Sequence, residues 1–304
     1  MSMIDVRGLT KRYGPHTVVD DLSFTVEAGQ VTGFLGPNGA GKSTTLRMIV
    51  GLAAPDRGSV TIGGRRYAEI PVPLLEVGAL LDAAAVHGSR TAYAHLHALA
   101  VSNGLPRRRV GEVLARTGLE SVAGKRAGGF SLGMRQRLGI AATLLGDPKV
   151  LIFDEPVNGL DPEGIRWARD LMRSLAAEGR AVLVSSHLMS EMAQTADHLI
   201  VIGRGRLVAD AAVSELTHAS GEGTVLVRAA EPGDFALRLS AAGAGVREGL
   251  EGSLVVSGMS AGDIGRLAAY HGVALSELTP QRVSLEDAFM ELTRDSVEYQ
   301  GVAA

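Results

Sequence analysis

The stretch Gly36-Pro37-Asn38-Gly39-Ala40-Gly41-Lys42-Ser43-Thr44 stands between the apolar run Val31 to Leu35 and a helical pattern, and no other feature of the chain restricts its folding so strongly. A glycine-rich turn leading from a buried strand straight into a helix is the geometry of a phosphate-binding loop in an α/β domain. The glycines let the backbone curl until successive N–H groups face inward. The helix that follows adds roughly half a positive charge at its N-terminus. Lys42 then reaches the β- and γ-phosphates of a nucleoside triphosphate, Ser43 puts its hydroxyl on Mg²⁺, and Thr44 supports the α-phosphate end of the turn.

At 304 residues the chain exceeds the usual single-domain size, so one large domain with a smaller appendage is expected. A hydrophobic content of 46% and a formal net charge of −3 exclude a disordered chain and argue against a general nucleic-acid-binding surface, so no nucleic-acid partner is expected. No apolar run approaches the roughly 20 residues that span a bilayer, and the opening residues lack a basic-then-apolar leader pattern. The expected location is cytoplasmic, with membrane contact only through a partner. Without cysteine there are no disulfides, no thiolate nucleophile and no thiolate-bound metal.

The first part of the chain alternates short apolar strand candidates with helical patterns, the signature of an α/β domain with a largely parallel sheet. Val150 to Phe153 and Ala181 to Val184 read as buried strands. Between them Asp161 caps a helix that opens at Pro162, with Ile165, Ala168, Leu171, Met172 and Leu175 as its apolar stripe. A mainly helical insertion is expected over residues 83–146, with turns at Asn103-Gly104 and Gly128-Gly129. Arg107-Arg108-Arg109 reads as a solvated helix start, and the single tryptophan, Trp167, as a packing residue. The main domain is expected to cover residues 1–215 and a small α+β domain residues 216–304, with Ser220-Gly221-Glu222-Gly223 as a linker. In the small domain, Thr224 to Val227 and Ser253 to Val256 are strand candidates, and Ile264, Leu267 and Ala268 mark a helix ending near Gly272. A last helix is expected at Ser284, where Ser284 and Asp287 form a capping box ahead of Leu285, Ala288, Phe289 and Leu292.

The run Val150 to Phe153 ends in Asp154-Glu155, which places two carboxylates at the C-terminal edge of the sheet, where the phosphate loop also opens. Asp154 suits Mg²⁺, because a hard cation bridging phosphate oxygens takes one or two carboxylates besides. Glu155 is placed to polarise an attacking water. Ahead of this pair, Phe130-Ser131-Leu132-Gly133-Met134-Arg135-Gln136-Arg137 opens a helical run. This octad resembles the signature sequence of the ATP-binding-cassette (ABC) ATPases and stands in the order that family shows, with Leu132 and Met134 in place of the usual glycine and glutamine.

The resemblance covers about residues 3 to 215. It implies a P-loop ABC ATPase core with an inserted helical subdomain, ATP and Mg²⁺ as its ligands, and a second copy of the chain that closes an ATP sandwich. Ser131 and Gly133 match the positions that hold the γ-phosphate of the nucleotide on the other protomer. Asn158-Gly159-Leu160-Asp161 resembles the D-loop, and His187 of Ser185-Ser186-His187 the switch histidine that fixes the γ-phosphate, the water and Glu155. Tyr13 resembles the aromatic that stacks on adenine. Where the family usually has a Mg²⁺-sensing glutamine after the strand leading into the helical subdomain, this chain has Asp82, an acidic residue that resembles the antibiotic-export branch. The family implies a separate transmembrane permease, hence a peripheral place on the inner face of the cell membrane. The segment from Ser284 to Thr293 is similar to the end of bacterial drug and antibiotic exporter ATPases. The other reading the resemblance leaves open is a non-transport ABC ATPase acting on ribosomes or nucleic acid; one cassette and no sustained heptads weigh against it.

Overall fold

The computed structural model describes residues 2–82, 85–215 and 224–281. The chain divides into two compact units at Val213/Ser214. The expected linker at Ser220 to Gly223 and the expected helix from Ser284 lie outside the described residues.

The larger unit holds two sheets. Six strands, β3 (Val31–Leu35), β5 (Val77–Leu80), β6 (Val150–Asp154), β7 (Ala181–Ser186), β8 (His198–Gly203) and β9 (Arg206–Ala212), form one sheet in the order β5-β6-β7-β3-β8-β9. All neighbours run parallel except β8 and β9. β3 and β7 are buried at every residue, which is why they read as unbroken apolar runs and not as alternating ones.

The second sheet corrects the expectation that the first part of the chain simply alternates strands and helices. β1 (Ser2–Tyr13), β2 (His16–Glu27) and β4 (Arg57–Ile62) pair antiparallel in the order β2-β1-β4. Leu22, Phe24 and Val26 are buried while Ser23 and Thr25 are exposed, the period of a half-buried strand. Register shifts interrupt the pairing at four places along the β1–β2 hairpin, and such bulges blur the same alternation in the sequence. Helix α1 (Lys42–Ile49) follows β3. Its Leu46 and Ile49 share one core with Val6, Leu9 and Phe24 of the antiparallel sheet and with Phe34, Leu183 and Ile200 of the parallel one. Each such fully buried side chain contributes about 1.5–3 kcal/mol of transfer free energy, so the helix behind the phosphate loop is held from both sides.

The expected helical insertion forms α2 (Ala92–Ser102), α3 (Arg108–Arg116) and α4 (Leu132–Leu144). The arginine triplet does more than face solvent: Arg109 donates to the carbonyls of Leu144 and Leu145 at the end of α4, where helix carbonyls lack intrahelical donors. Arg137 places its guanidinium 3.9 Å from the centre of the Trp167 ring, a cation–π contact that gives the tryptophan a packing role. α5 (Pro162–Ala177) is capped by Asp161, whose Oδ1 accepts from the Gly164 N–H at 2.7 Å, and α6 (Met189–Thr195) follows β7.

The smaller unit runs β10 (Thr224–Ala229), α7 (Pro232–Ala241), β11 (Gly245–Glu248), β12 (Leu254–Ser257), α8 (Ala261–Tyr270) and β13 (Leu275–Gln281). Its sheet is antiparallel in the order β11-β12-β10-β13, the split β-α-β arrangement of ferredoxin-like domains. Phe235 and Leu239 of α7 and Ile264 and Ala268 of α8 pack with Val225, Val227, Leu254 and Val256 into a separate core.

Candidate functional site

Three neighbouring parallel strands, β6, β7 and β3, end side by side. The register sets Asp154 opposite Ser185 and Leu35 opposite Ser186, so the residues after each strand meet at one sheet edge. There a pocket of about 420 Å³ is lined by Val18, Asn38 to Thr44, Glu155, Asn158 and His187.

The phosphate loop is shaped by what presses on it. Gly41 caps α1 at φ 100°, and a Cβ there would sit 2.6 Å from the Val18 carbonyl oxygen. Only glycine fits so close to β2 in that conformation. Lys42 is 7% exposed and its Nζ donates to the Gly36 carbonyl at 2.6 Å and the Pro37 carbonyl at 3.3 Å. Burial lowers its pKa, while the carboxylates of Glu155, 4.0 Å away, and Asp154 work in the opposite direction. The ammonium is thus held by the loop's own carbonyls at the floor of the pocket, where a phosphate can take their place.

Glu155 has φ +49°, a left-handed conformation unusual outside glycine, and this turns its side chain out of the strand direction. Its N–H donates to Ser185 Oγ at 3.0 Å, and the same hydroxyl donates to Asp154 Oδ1. His187 Nδ1 lies 3.0 Å from both carboxylate oxygens of Glu155. A carboxylate paired with an imidazole above a buried ammonium can orient and deprotonate a water. Behind the pair, Glu191 in the first turn of α6 has its pKa raised, by burial first and by the Glu155 charge second, with His187 opposing. Among the described residues its buried Oε2 has no hydrogen-bond partner.

The remaining sequence-predicted residues lie elsewhere. Ser131 caps α4, its Oγ accepting from the Met134 N–H at 3.2 Å, and neither it nor Gly133 lines the pocket. Leu132, which departs from the family's glycine, covers Gly159: a Cβ at Gly159, where φ is +78°, would lie 2.1 Å from Leu132 Cδ2. The leucine is accommodated because its neighbour has no side chain. Tyr13, 51% exposed at the end of β1, lies beneath the Lys11 ammonium at 5.4 Å and is not among the pocket residues. Asp82 is not among the residues that line the phosphate-loop pocket. It lines a second, more apolar cavity of about 560 Å³ with Arg47, Tyr67, Leu80 and His95. Val18, Ser185 as a bridging hydroxyl, Gln136 and Glu191 received no role from the sequence. Each acts through a backbone group or through burial, which leaves no motif.

The family described as ABC transporter matches residues 19–158. The ABC transporter ATP-binding protein YhcH of Bacillus subtilis is 43% identical over 210 residues, 68% of this chain and 69% of that one. The chain belongs to the ABC transporter ATP-binding proteins. ATP binding and hydrolysis are the activity of that family. The bacitracin transport ATP-binding protein BcrA of Enterococcus faecalis is 34% identical over 307 residues, covering 95% of this chain and 96% of its own. A solved ATP-binding subunit of an ABC transporter superposes with a TM-score of 0.66 at 29% identity, over 72% of this chain and 93% of that one. Residues 223–286 match a family described only as a domain of unknown function. Among the described residues no helix is long and apolar enough to cross a membrane.

Proposed function

We propose that this ATPase works as a homodimer with Mg²⁺ and drives a separate transmembrane permease, at the inner face of the membrane, that exports an antibiotic or peptide. The loop Asn38 to Thr44, Glu155 and His187 meet in one pocket, and the likeness to a bacitracin transport subunit covers 95% of this chain. Ser43 lines the pocket and the Asp154 carboxylate is near enough to act on the charge of Lys42, and two such hard oxygen donors fit Mg²⁺. The cation, when bound, neutralises charge on the phosphate oxygens.

Loop N–H groups and the α1 N-terminus receive the phosphates, and Lys42 exchanges the Gly36 and Pro37 carbonyls for phosphate oxygens. Glu155 orients the attacking water and takes its proton, with His187 holding the carboxylate and the γ-phosphate in line. Tyr13 stands at the end of the hairpin whose Val18 touches Gly41, and its open face stacks on adenine. Ser131 and Gly133, outside their own pocket, face the γ-phosphate in the other subunit. The cavity beside Asp82 is the face that meets the permease. Tagged full-length chain drawn from native membranes in mild detergent tests the reading: a stoichiometric multi-spanning protein is expected to accompany it. Ribosomal or nucleic-acid partners with no membrane protein would overturn transport and leave the ATPase intact.

A further inference from the structure

The backbone of Glu155 is gripped on both sides. Its N–H is taken by Ser185 Oγ, and its carbonyl receives two donors, the Asn158 N–H at 3.3 Å and the side-chain Nε2 of Gln136 at 3.3 Å. Both lone pairs of that carbonyl are therefore used. Gln136 is 4% exposed and belongs to α4, five residues beyond the Ser131 cap. A buried amide costs free energy unless it is paired, so its aim at one carbonyl is a specific arrangement. Two more contacts tie the same helix start to the segment after Glu155. Leu132 covers Gly159, and a Cβ on Gly133 would meet Leu160 Cδ2 at 3.3 Å. The first turns of α4 and the segment from Glu155 to Leu160 are thus joined at three points.

From this geometry we infer that Gln136 is a positioning residue: it holds the Glu155 peptide in its left-handed turn, so that the carboxylate faces His187 and the pocket, and it links the placement of α4 to that of Glu155. A non-glycine residue persists at φ +49° only where its surroundings fix it. Gln136 supplies one of the fixing bonds from an element whose own N-terminus carries Ser131 and Gly133. Any shift of the α4 start is transmitted to the carboxylate in the same chain, which makes the signature helix and the water-orienting group one mechanical unit. The inference rests on the reading of Glu155 as the water-orienting group.

Single-turnover ATP hydrolysis and nucleotide affinity of the full chain test it, using Gln136→Met, Gln136→Glu, Glu155→Gln and Gln136→Met/Glu155→Gln. Both Gln136 variants keep the length of the side chain and lose its donor. Turnover is expected to fall on the order of tenfold in each, as misplacement of a reacting group does, with KM and ATP affinity within about twofold of wild type. In the Glu155→Gln background the Met substitution is expected to add nothing further, since a residue acting through another does not multiply its effect. Wild-type turnover in Gln136→Met, or a multiplied loss in the double variant, overturns the inference. So does a loss of ATP affinity in both Gln136 variants, which would mark the residue as merely structural. Near-normal turnover in Glu155→Gln would instead sink the underlying reading of Glu155, a result distinct from the others.

Discussion

Each of the two units of this chain buries its own apolar core, yet only one of them announces its chemistry. The larger unit leaves the ends of β6, β7 and β3 open at one edge and fills that edge with residues whose types are dictated by phosphate: a glycine loop, a buried lysine, a carboxylate pair and a histidine. The smaller unit covers one sheet face with α7 and α8 around Phe235, Leu239 and Ile264. Its other face carries Leu226, Arg228, Arg247 and Val255 beside a cavity of about 560 Å³. Those residues follow the strand period but no constellation of catalytic groups. A packed core needs only apolar side chains of suitable size in the right period, whereas a phosphate site needs particular groups at particular backbone positions.

The largest change in binding is expected at Lys42. Lys42→Ala removes the buried cation and leaves the Gly36 and Pro37 carbonyls facing the phosphates, so ATP affinity is expected to fall by about 10- to 100-fold, the worth of one or two charge-assisted hydrogen bonds. Equilibrium titration with a fluorescent ATP analogue reads it, and unchanged affinity would mean that the phosphates bind elsewhere. Phe235→Ala in the smaller unit is expected to cost about 3–5 kcal/mol of that unit's stability. It should lower one melting transition and spare ATP affinity. A parallel loss of affinity would show that the two units are not energetically separate.

A smaller effect is expected at the seam between Leu132 and Gly159. Gly159→Ala brings a methyl into Leu132 and forces a left-handed alanine, a cost of about 1–2 kcal/mol from the backbone alone. Adding Leu132→Ala should return the part due to the clash and leave the backbone part. If the double variant melts no higher than Gly159→Ala, the two residues do not accommodate one another. The smallest effect is at Glu191. Its raised folded pKa means that the folded chain binds more protons than the unfolded one between the ordinary carboxylate value and the raised one, so stability falls as pH rises through that window. Glu191→Gln is expected to melt above wild type at neutral pH, with the difference shrinking in acid. A constant difference across the pH range would assign the effect to packing instead.

Much of the fold and the site was legible where a residue type has one physical reason to be present. Val150 to Phe153 followed by Asp154-Glu155 reads as a buried strand ending in carboxylates, and Asp161-Pro162 as a helix start, because cap and strand chemistry are local. The antiparallel sheet was not legible as such, since bulges along β1 and β2 break the alternation that would mark it. Asp82 follows β5 as the sequence order requires, but its cavity depends on Arg47, Tyr67 and His95, which only the folded chain assembles. Gln136 is the sharpest case. The octad is easily read, but the partner of its glutamine is a backbone carbonyl, and every residue has one.

In the mechanism we propose, ATP bound on the phosphate loop is hydrolysed by a water held by Glu155. Glu155→Gln keeps the side chain's size and removes its ability to accept a proton, while the loop, Lys42 and Ser43 stay in place. ATP affinity and turnover measured on this variant are predicted to separate, with affinity near wild type and turnover reduced by about 100-fold or more. Turnover near wild type with the same affinity would contradict this role, because the hydrolytic group would then have to lie elsewhere.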